Sequence, residues 1–506
     1  MLVGMLVQRA ARRFAGRTAL DGPQGTQTFG ELGDRVARLA GGLLASGLRP
    51  GDRVLDLQPN QNTYIETDLA CCVAGLVRVA LNHRLHPDDW ARIADDCGAS
   101  ALIYDARYAE PAQELYEGFG EARTVVIGDG PGQPYQKLLD ASPEKAPPVA
   151  GTARADDLVS LNYTSGSTGA PKGVRRTHRV RFASLVNMLS DVLGGPPGPA
   201  DVYLHAGPIT HTSGLFVLPF LAYGSAQLIL PGYDAAAVVD AVTRRGATHT
   251  ALVPTMVARL SALGEPLPGL KMLGYAGAPM PPHQIRQAYE RLTPHLVQYY
   301  GLVEAIPPVT VLDAADHAAG LTDRPELLAS AGRPALGVEL RVVDESGAPV
   351  PAGEIGEVVT RGDHVMPGYW AAAADIKAVD EAGWLHTGDL GRLDGRGRLW
   401  LIDRKGDMII TGGYNVYPRE VEDVIAEVSG VDEVAVVGVR DPEWGQRIVA
   451  LYRGTAEPDV VEAHCRARLA SYKKPKEIRR VGSFPLNHTG KIAKNILKAD
   501  LEWCGR

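Results

Sequence analysis

The segment YTSGSTGAPKGV, Tyr163 to Val174, is a run of small, hydroxylated and glycine residues that ends in a lysine and follows an apolar strand pattern. Such a run lets successive backbone N–H groups turn toward an anion, its hydroxyls add donors, and the lysine adds a compact positive charge. The expected ligand is a chain of phosphates held by Thr164, Ser165, Gly166, Ser167, Thr168, Gly169 and Lys172. The pattern G-x-x-x-x-G-K-[ST] fails in every register because Gly173 follows Lys172, so this phosphate cradle is not a Walker loop. Taken alone, the same residues would also suit an ordinary surface loop.

With its neighbours in view, the segment resembles the signature of the adenylate-forming (AMP-binding) superfamily, which includes acyl-CoA synthetases, peptide-synthetase adenylation domains and beetle luciferases. The similarity runs from TFGELGDRVARLAGGLLASGLRPGDRV, beginning at Thr28, to LNHTGKIAKNIL, beginning at Leu486, and it is strongest toward aryl- and fatty-acid-CoA ligases, with amide-bond synthetases as near relatives. The resemblance implies a carboxylic acid activated by ATP and Mg2+ as an acyl-adenylate, with release of pyrophosphate. It assigns Gly277, Ala278 and Pro279 of YAGAPM, and Tyr299, Tyr300 and Gly301 of QYYGLVEA, to the adenine and acyl pockets, and Glu304 to the metal. Asp389 and Arg404 become the ribose contacts, Lys491 the catalytic lysine of adenylation, and His211 of ITHTSGL the residue that gates the acyl channel. Outside that context Glu304 would read as a solvated acid, Asp389 as a turn residue, Lys491 as a surface lysine and His211 as a structural histidine.

Acceptor chemistry is implied toward the C-terminus. The resemblance places Gly412 and Gly413 of TGGYNVYPREVE along a tunnel for a thin thioester arm, and Trp444, Tyr472, Lys474 and Lys476 against the nucleotide of CoA. CoA is therefore the expected co-substrate, with an amine or a carrier protein as the alternative acceptor, and a solvated helix end as the bland reading of the lysines. ITHTSGLF lacks the aspartate with which peptide-synthetase relatives hold a substrate ammonium, which disfavours an α-amino acid. The surroundings of His211, Tyr275 to Ala278 and Ile306-Pro307-Pro308 are mostly apolar in sequence, pointing to an aryl, alicyclic or aliphatic acid and away from a sugar acid or dicarboxylate. Two positions depart from the family pattern. Val303 stands where a threonine usually contacts phosphate, and Gly406 of DRKGD stands at the hinge, where aspartate or lysine is common.

The elements that must position these residues are those of an α/β protein. Short apolar runs (RVLDL at 53, ALIYD at 101, LVSLNY at 158, VYLHA at 202, AQLIL at 226, HTALV at 249) alternate with helical patterns, the rhythm of largely parallel sheets. Leu32, Val36, Leu39, Ala40 and Leu43 recur at helical spacing, and the start of the chain suggests a short amphipathic helix. The stretch Gly214 to Leu230 reads as a buried helix leading into a strand, and residues 141–155 as a Pro-rich connector. From Val338 strands and tight turns predict a β-rich subdomain. Beyond it a helix over Val421 to Ile425, a central strand VDEVAVVGV and a helix over Val461 to Leu469 predict a small, mobile α+β domain. The expected organisation is thus a large domain, residues 1–403, of two αβ sheet subdomains plus the β-rich subdomain, and a second domain, residues 404–506.

Bulk properties bound the alternatives. A net charge of −7 over 506 residues gives no basic excess for nucleic acid. Five cysteines without C-x-x-C spacing suggest neither a disulfide framework nor a zinc knuckle, consistent with a reducing cytoplasm. No clean membrane span or secretory signal is expected. The oligomeric state stays open, a homodimer being one form.

Overall fold

The computed structural model describes residues 2–141, 153–165, 171–371, 376–486 and 492–503. The chain divides into two compact units, Met1–Leu340 with Thr360–Leu385, and Arg341–Val359 with His386–Arg506. The boundary expected at Arg404 falls within the second of these units. Most of the expected connector, residues 142–152, lies outside the described residues.

In the first unit, the described residues form two large, mostly parallel sheets. One has seven strands in the order Gln133–Pro134, Thr124–Ile127, Ala101–Asp105, Arg53–Leu57, Val77–Ala80, Leu158–Ser165 and Pro171–Thr177, with only the last pair antiparallel. The other has nine, in the order Arg333–Pro334, Thr310–Leu312, Leu296–Tyr300, Met272–Tyr275, His249–Leu252, Val202–His205, Ala226–Ile229, Thr18–Gly22 and Gly25–Thr28. All six strands expected from short apolar runs belong to these sheets. The chemistry-bearing segments follow strand ends, which is where open α/β sheets leave ligand crevices.

Helices Val3–Arg13, Phe29–Ala45 and Asn62–Ala74 share one apolar cluster with residues of both sheets, including Leu20, Val54, Ile103 and Ile229. The helix Phe29–Ala45 is started by a capping box. The Thr28 hydroxyl accepts from the Glu31 N–H, and the Glu31 carboxylate accepts from the Thr28 N–H. Its periodic residues Leu32, Val36, Leu39, Ala40 and Leu43 are all buried. The stretch from Gly214 to Leu230 contains the buried helix Val217–Tyr223, ended by Gly224, and the strand Ala226–Ile229, as its composition suggested.

Asn62–Ala74 is buried on every side, so it carries acids into the interior. Glu66 accepts from Arg35 Nε and Nη2 at 2.6 and 3.0 Å, from Gln27 Nε2 at 2.7 Å and from the Tyr135 hydroxyl at 2.6 Å. A buried carboxylate is tolerated on those terms, because each desolvated lone pair finds a donor.

The second unit holds most of a four-stranded sheet built from Glu339–Val343, Gly356–Arg361, Leu385–Leu393 and Leu399–Arg404. A hairpin of Ile409–Thr411 with Tyr414–Val416 follows, then a three-stranded sheet flanked by helices Pro418–Ala426, Pro458–Arg468 and Lys494–Trp503. The strand VDEVAVVGV was expected to be central. It lies at the edge of the order Val431–Asp441, Gly445–Gly454, Glu477–Arg480. Its continuous apolar run has a different cause, burial of both faces. Val436 packs with Val421, Ile425 and Val461, while Ala435, Val437 and Val439 pack with Leu497 and Leu501. The fold class is the expected one, a large α/β domain with several sheets and a small α+β C-terminal domain.

Replacing Tyr135 by Phe leaves one oxygen of Glu66 short of a buried donor. The first unit should lose about 1–3 kcal/mol of stability, read as a lower denaturant midpoint with an unchanged slope.

Candidate active site

The expected phosphate loop falls between the antiparallel strands Leu158–Ser165 and Pro171–Thr177, whose register sets Thr164 opposite Lys172 and Ser165 opposite Pro171. Gly166, Ser167, Thr168 and Gly169 lie outside the described residues. Lys172 does not stand alone. Its Nζ is 5.8 Å from the ring centre of Tyr369, and the Tyr369 hydroxyl donates to Glu304 Oε1 at 2.9 Å.

One extended segment makes this arrangement. Residues 364–370 pair with both partners: Ala305 bridges Val365, Met366 N–H donates to the Glu304 carbonyl at 2.8 Å, Val174 bridges Tyr369, and Trp370 N–H donates to the Gly173 carbonyl at 2.8 Å. The lysine of the phosphate loop and the acid expected to hold magnesium are thereby fixed to a common strap. Tyr369 was not among the expected site residues. Its partner lies 65 positions away, and only tertiary pairing joins them.

Glu304 is the acid that the sequence expects to hold the metal. Among the described residues no cluster of three or more His, Cys, Asp or Glu side chains is poised to hold an ion. A single carboxylate is the donor set for a Mg2+ that takes its other ligands from phosphate and water. Val303, the departure from the family pattern, packs against the cluster that holds Val174, Ala305 and Met366, and a valine offers phosphate no hydroxyl.

The strand Leu296–Tyr300 alternates faces. The ring of Tyr299 is buried in an apolar cluster with Tyr203 and Phe216. Tyr300 takes the other face, beside Val303 and Tyr369. Gly301 is required by packing, since a Cβ there would stand 2.8 Å from Pro307. Gly277, Ala278 and Pro279 are exposed just beyond the strand Met272–Tyr275. Tyr275 itself is buried, its hydroxyl 2.8 Å from His317 Nε2.

His211 lines a cavity of about 70 Å³ that also touches Asn162, Ser184, Leu185, Leu218 and Ile306. Its Nε2 is 3.3 Å from Asn82 Nδ2. The surroundings of His211 were expected to be mostly apolar, but one wall of this cavity is charged and includes Asp68, Arg78, Arg176 and Arg181. Asp68 receives Arg181 through two hydrogen bonds, at 3.0 and 2.7 Å. Burial pushes the Asp68 carboxyl up, and Arg181 and Arg78 outweigh it, leaving the group below its usual range. These charges come from separate elements, and a linear reading around His211 passed over them.

In the second unit Asp389 and Arg404 face each other across the antiparallel ladder, with Arg404 Nε 2.6 Å from Asp389 Oδ1. Asp389 is buried, and its N–H donates to the Thr387 hydroxyl at 3.0 Å. At Gly406 a Cβ would meet nothing within 4 Å, so packing does not demand glycine there.

Gly412 and Gly413 are the two central residues of the hairpin turn between Thr411 and Tyr414, with φ of 56° and 82°. Both take the left-handed conformation that a two-residue turn of this kind needs, which accounts for the glycines locally. A Cβ at Gly412 would also stand 3.1 Å from the Trp444 ring. Lys476 Nζ lies 4.2 Å from the centre of that ring, and Tyr472 stacks on Tyr414 at 4.6 Å. Trp444, Tyr472 and Tyr414 are exposed. Lys474 follows two residues after Tyr472 and is half-buried. The second unit therefore carries a surface of aromatic rings and lysines, in which Tyr414 is an addition to the expected set. Lys491 lies outside the described residues.

A model of the AMP-binding enzyme family matches residues 7–370, and one of the AMP-binding enzyme C-terminal domain matches residues 420–491. The chain belongs to the AMP-binding enzyme family. It is 38% identical over 500 residues to a feruloyl-CoA synthase from Amycolatopsis sp, covering 97% of each chain. Among solved structures it is similar to the amide bond synthetase McbA from Marinactinospora thermotolerans, with a TM-score of 0.88, 30% identity and 99% of both chains covered. It is also similar to o-succinylbenzoate coenzyme A synthetase from Bacillus subtilis in complex with ATP and magnesium ion, with a TM-score of 0.85 and 28% identity, covering 97% of this chain and 99% of that one. As a member, the chain is an ATP-dependent adenylate-forming ligase of the acid–CoA ligase family. No helix among its described residues is long and apolar enough to cross a membrane.

Replacing Tyr369 by Phe removes the donor that orients Glu304. Acid-dependent pyrophosphate–ATP exchange should fall roughly tenfold, in line with the ~1.5–3 kcal/mol of a hydrogen bond to a charged group, and the Mg2+ concentration needed for half-maximal rate should rise.

Proposed function

We propose that this AMP-binding enzyme is an acid–CoA ligase for an acid with an aryl, alicyclic or aliphatic body. In the first half-reaction the substrate carboxylate attacks the α-phosphorus of ATP, forming the acyl–AMP anhydride and releasing pyrophosphate. In the second, the thiol of CoA attacks the acyl carbon, forming the thioester and releasing AMP.

The assignments follow from the chemistry of each group. Lys172 and the loop that begins at Thr164 hold the phosphates, and Glu304, oriented by Tyr369, faces the metal. Mg2+, when bound, neutralises the phosphate oxygens and favours departure of pyrophosphate. Asp389 accepts from the ribose hydroxyls, with Arg404 as its partner. Lys491 follows the negative charge that moves onto the departing pyrophosphate. His211 borders the acyl cavity beside Leu185, Leu218 and Ile306, which suit an apolar body. The segment from Arg404 onward is the part that changes position between the two half-reactions, with Gly406 easing the backbone rotation.

The observation that carries the acceptor is the surface of Trp444, Lys476, Tyr472 and Tyr414 beside the Gly412–Gly413 turn. Its rings offer stacking faces to an adenine, and its lysines offer charge to phosphates. The relative named as a feruloyl-CoA synthase supports the same acceptor. A second reading, transfer of the acyl group to an amine, is favoured by the likeness to an amide bond synthetase over the full length of both chains.

The two readings separate in one assay. Aryl and aliphatic acids are supplied with ATP and Mg2+, then with CoA or a panel of amines, and the products are read by mass spectrometry. Thioester formation should exceed amide formation and should fall when Trp444 is replaced by Ala. Amide as the dominant product at equal acceptor concentration would reverse the assignment.

A further inference from the structure

One carboxylate in the second unit gathers donors from both segments that carry the expected ribose contacts. Glu357 lies on the strand Gly356–Arg361, and its side chain is 13% exposed. Its Oε1 accepts from the Gly388 N–H at 3.2 Å. Its Oε2 accepts from Lys405 Nζ at 3.1 Å and lies 3.4 Å from His386 Nδ1. In the sheet, the strand of Glu357 neighbours Leu385–Leu393, and Leu399–Arg404 comes next, so this side chain reaches past one strand to the residue that follows the other. Burial pushes the Glu357 carboxyl up, and Lys405 and His386 outweigh it, leaving the group below its usual range.

The positions of these partners matter more than their number. Gly388 immediately precedes Asp389, and Lys405 immediately follows Arg404. Asp389 and Arg404 are themselves opposite each other in the ladder. Gly388 has φ of 70°, a conformation that glycine adopts without steric cost and leaves as easily, so the chain just ahead of Asp389 needs its peptide groups held. Both are. Glu357 takes the Gly388 N–H, and the Lys405 N–H donates to the Gly388 carbonyl at 2.8 Å. Lys405 is exposed, and a pair between two exposed charges would be worth little. Its partner here is a mostly buried carboxylate, whose hydrogen bonds are charge-assisted.

Resting on the ribose role given above to Asp389 and Arg404, we propose that Glu357 is the positioning residue for that pair, clamping the residue before one and the residue after the other. The clamp ends one residue short of Gly406, where the backbone rotation is proposed to occur. Asp389 and Arg404 therefore keep one register toward the ribose hydroxyls in both half-reactions, while the segment beyond Lys405 changes position.

Calorimetric binding of AMP, 2′-deoxy-AMP and 3′-deoxy-AMP to the full-length enzyme tests it. The wild type should bind AMP about tenfold or more tighter than at least one deoxy analogue, as expected when a hydrogen bond to a carboxylate is lost. Glu357→Gln keeps the size of the side chain but turns an amide N–H toward one of the groups that Glu357 accepts from. In that variant AMP should bind about tenfold more weakly, and its advantage over the deoxy analogue should collapse toward one. Lys405→Met, a substitution at an exposed side chain, should give part of the same collapse. In acid-dependent pyrophosphate–ATP exchange, the KM for ATP should rise in both variants by more than kcat falls. Retention of the wild-type ratio in both variants would overturn the inference and leave the ribose role of Asp389 standing. An equal loss on all three nucleotides would also overturn it, because it would make Glu357 part of the scaffold alone. Should Glu357→Gln not fold, the ratio in Lys405→Met decides. A wild type that binds the deoxy analogues as tightly as AMP would remove the ribose role and this inference together.

Discussion

A triphosphate must be held by positive charge and N–H groups that cannot retreat from its self-repulsion, and the site proposed in the first unit is built on that constraint. The ladder that sets Thr164 opposite Lys172 fixes both ends of the phosphate loop. The strap of residues 364–370 then ties Lys172 to Glu304 through Tyr369, by backbone pairing on one side and a hydroxyl on the other. Preorganisation of this kind lowers a barrier because no dipole has to turn when charge moves.

The interior of the same unit is unusually polar for a helix sandwiched between sheets, and its charges divide into two groups. Glu66 is saturated by Arg35, Gln27 and Tyr135, which makes it part of the scaffold. Asp56 and Asp68 are shared between Arg78 and Arg181 beside the cavity that His211 lines. Leu185, Leu218 and Ile306 border the same cavity as the charged side chains.

Much of this was legible in the sequence, for physical reasons that differ from element to element. The phosphate loop shows because its chemistry restricts residue type at consecutive positions. The helix Phe29–Ala45 shows because one face is apolar at helical period. The strand Val431–Asp441 was misplaced within its sheet because an apolar run reports burial of both faces and says nothing of the number of neighbours. The motif around Tyr299 and Tyr300 names consecutive residues, whereas the strand sends their side chains to opposite faces, which a linear motif does not show. Tyr369 and the charged wall were missed because their meaning lies in partners tens of residues away. The glycines of the Gly412–Gly413 turn were noticed for a ligand's sake, and the hairpin geometry supplies a reason that stands without one.

The central claim is that an ammonium contributed by the C-terminal part of the chain acts on the triphosphate held by the loop at Thr164. The motif around Lys491 carries that claim, and replacing Lys491 by Ala tests it directly. Acyl-adenylate formation from acid and ATP should fall by about 100-fold or more, as expected when a preorganised charge is withdrawn from a phosphoryl-type transition state, while thioester formation from a supplied acyl-adenylate and CoA persists. Acyl-adenylate formation at the wild-type rate in Lys491→Ala would contradict the account.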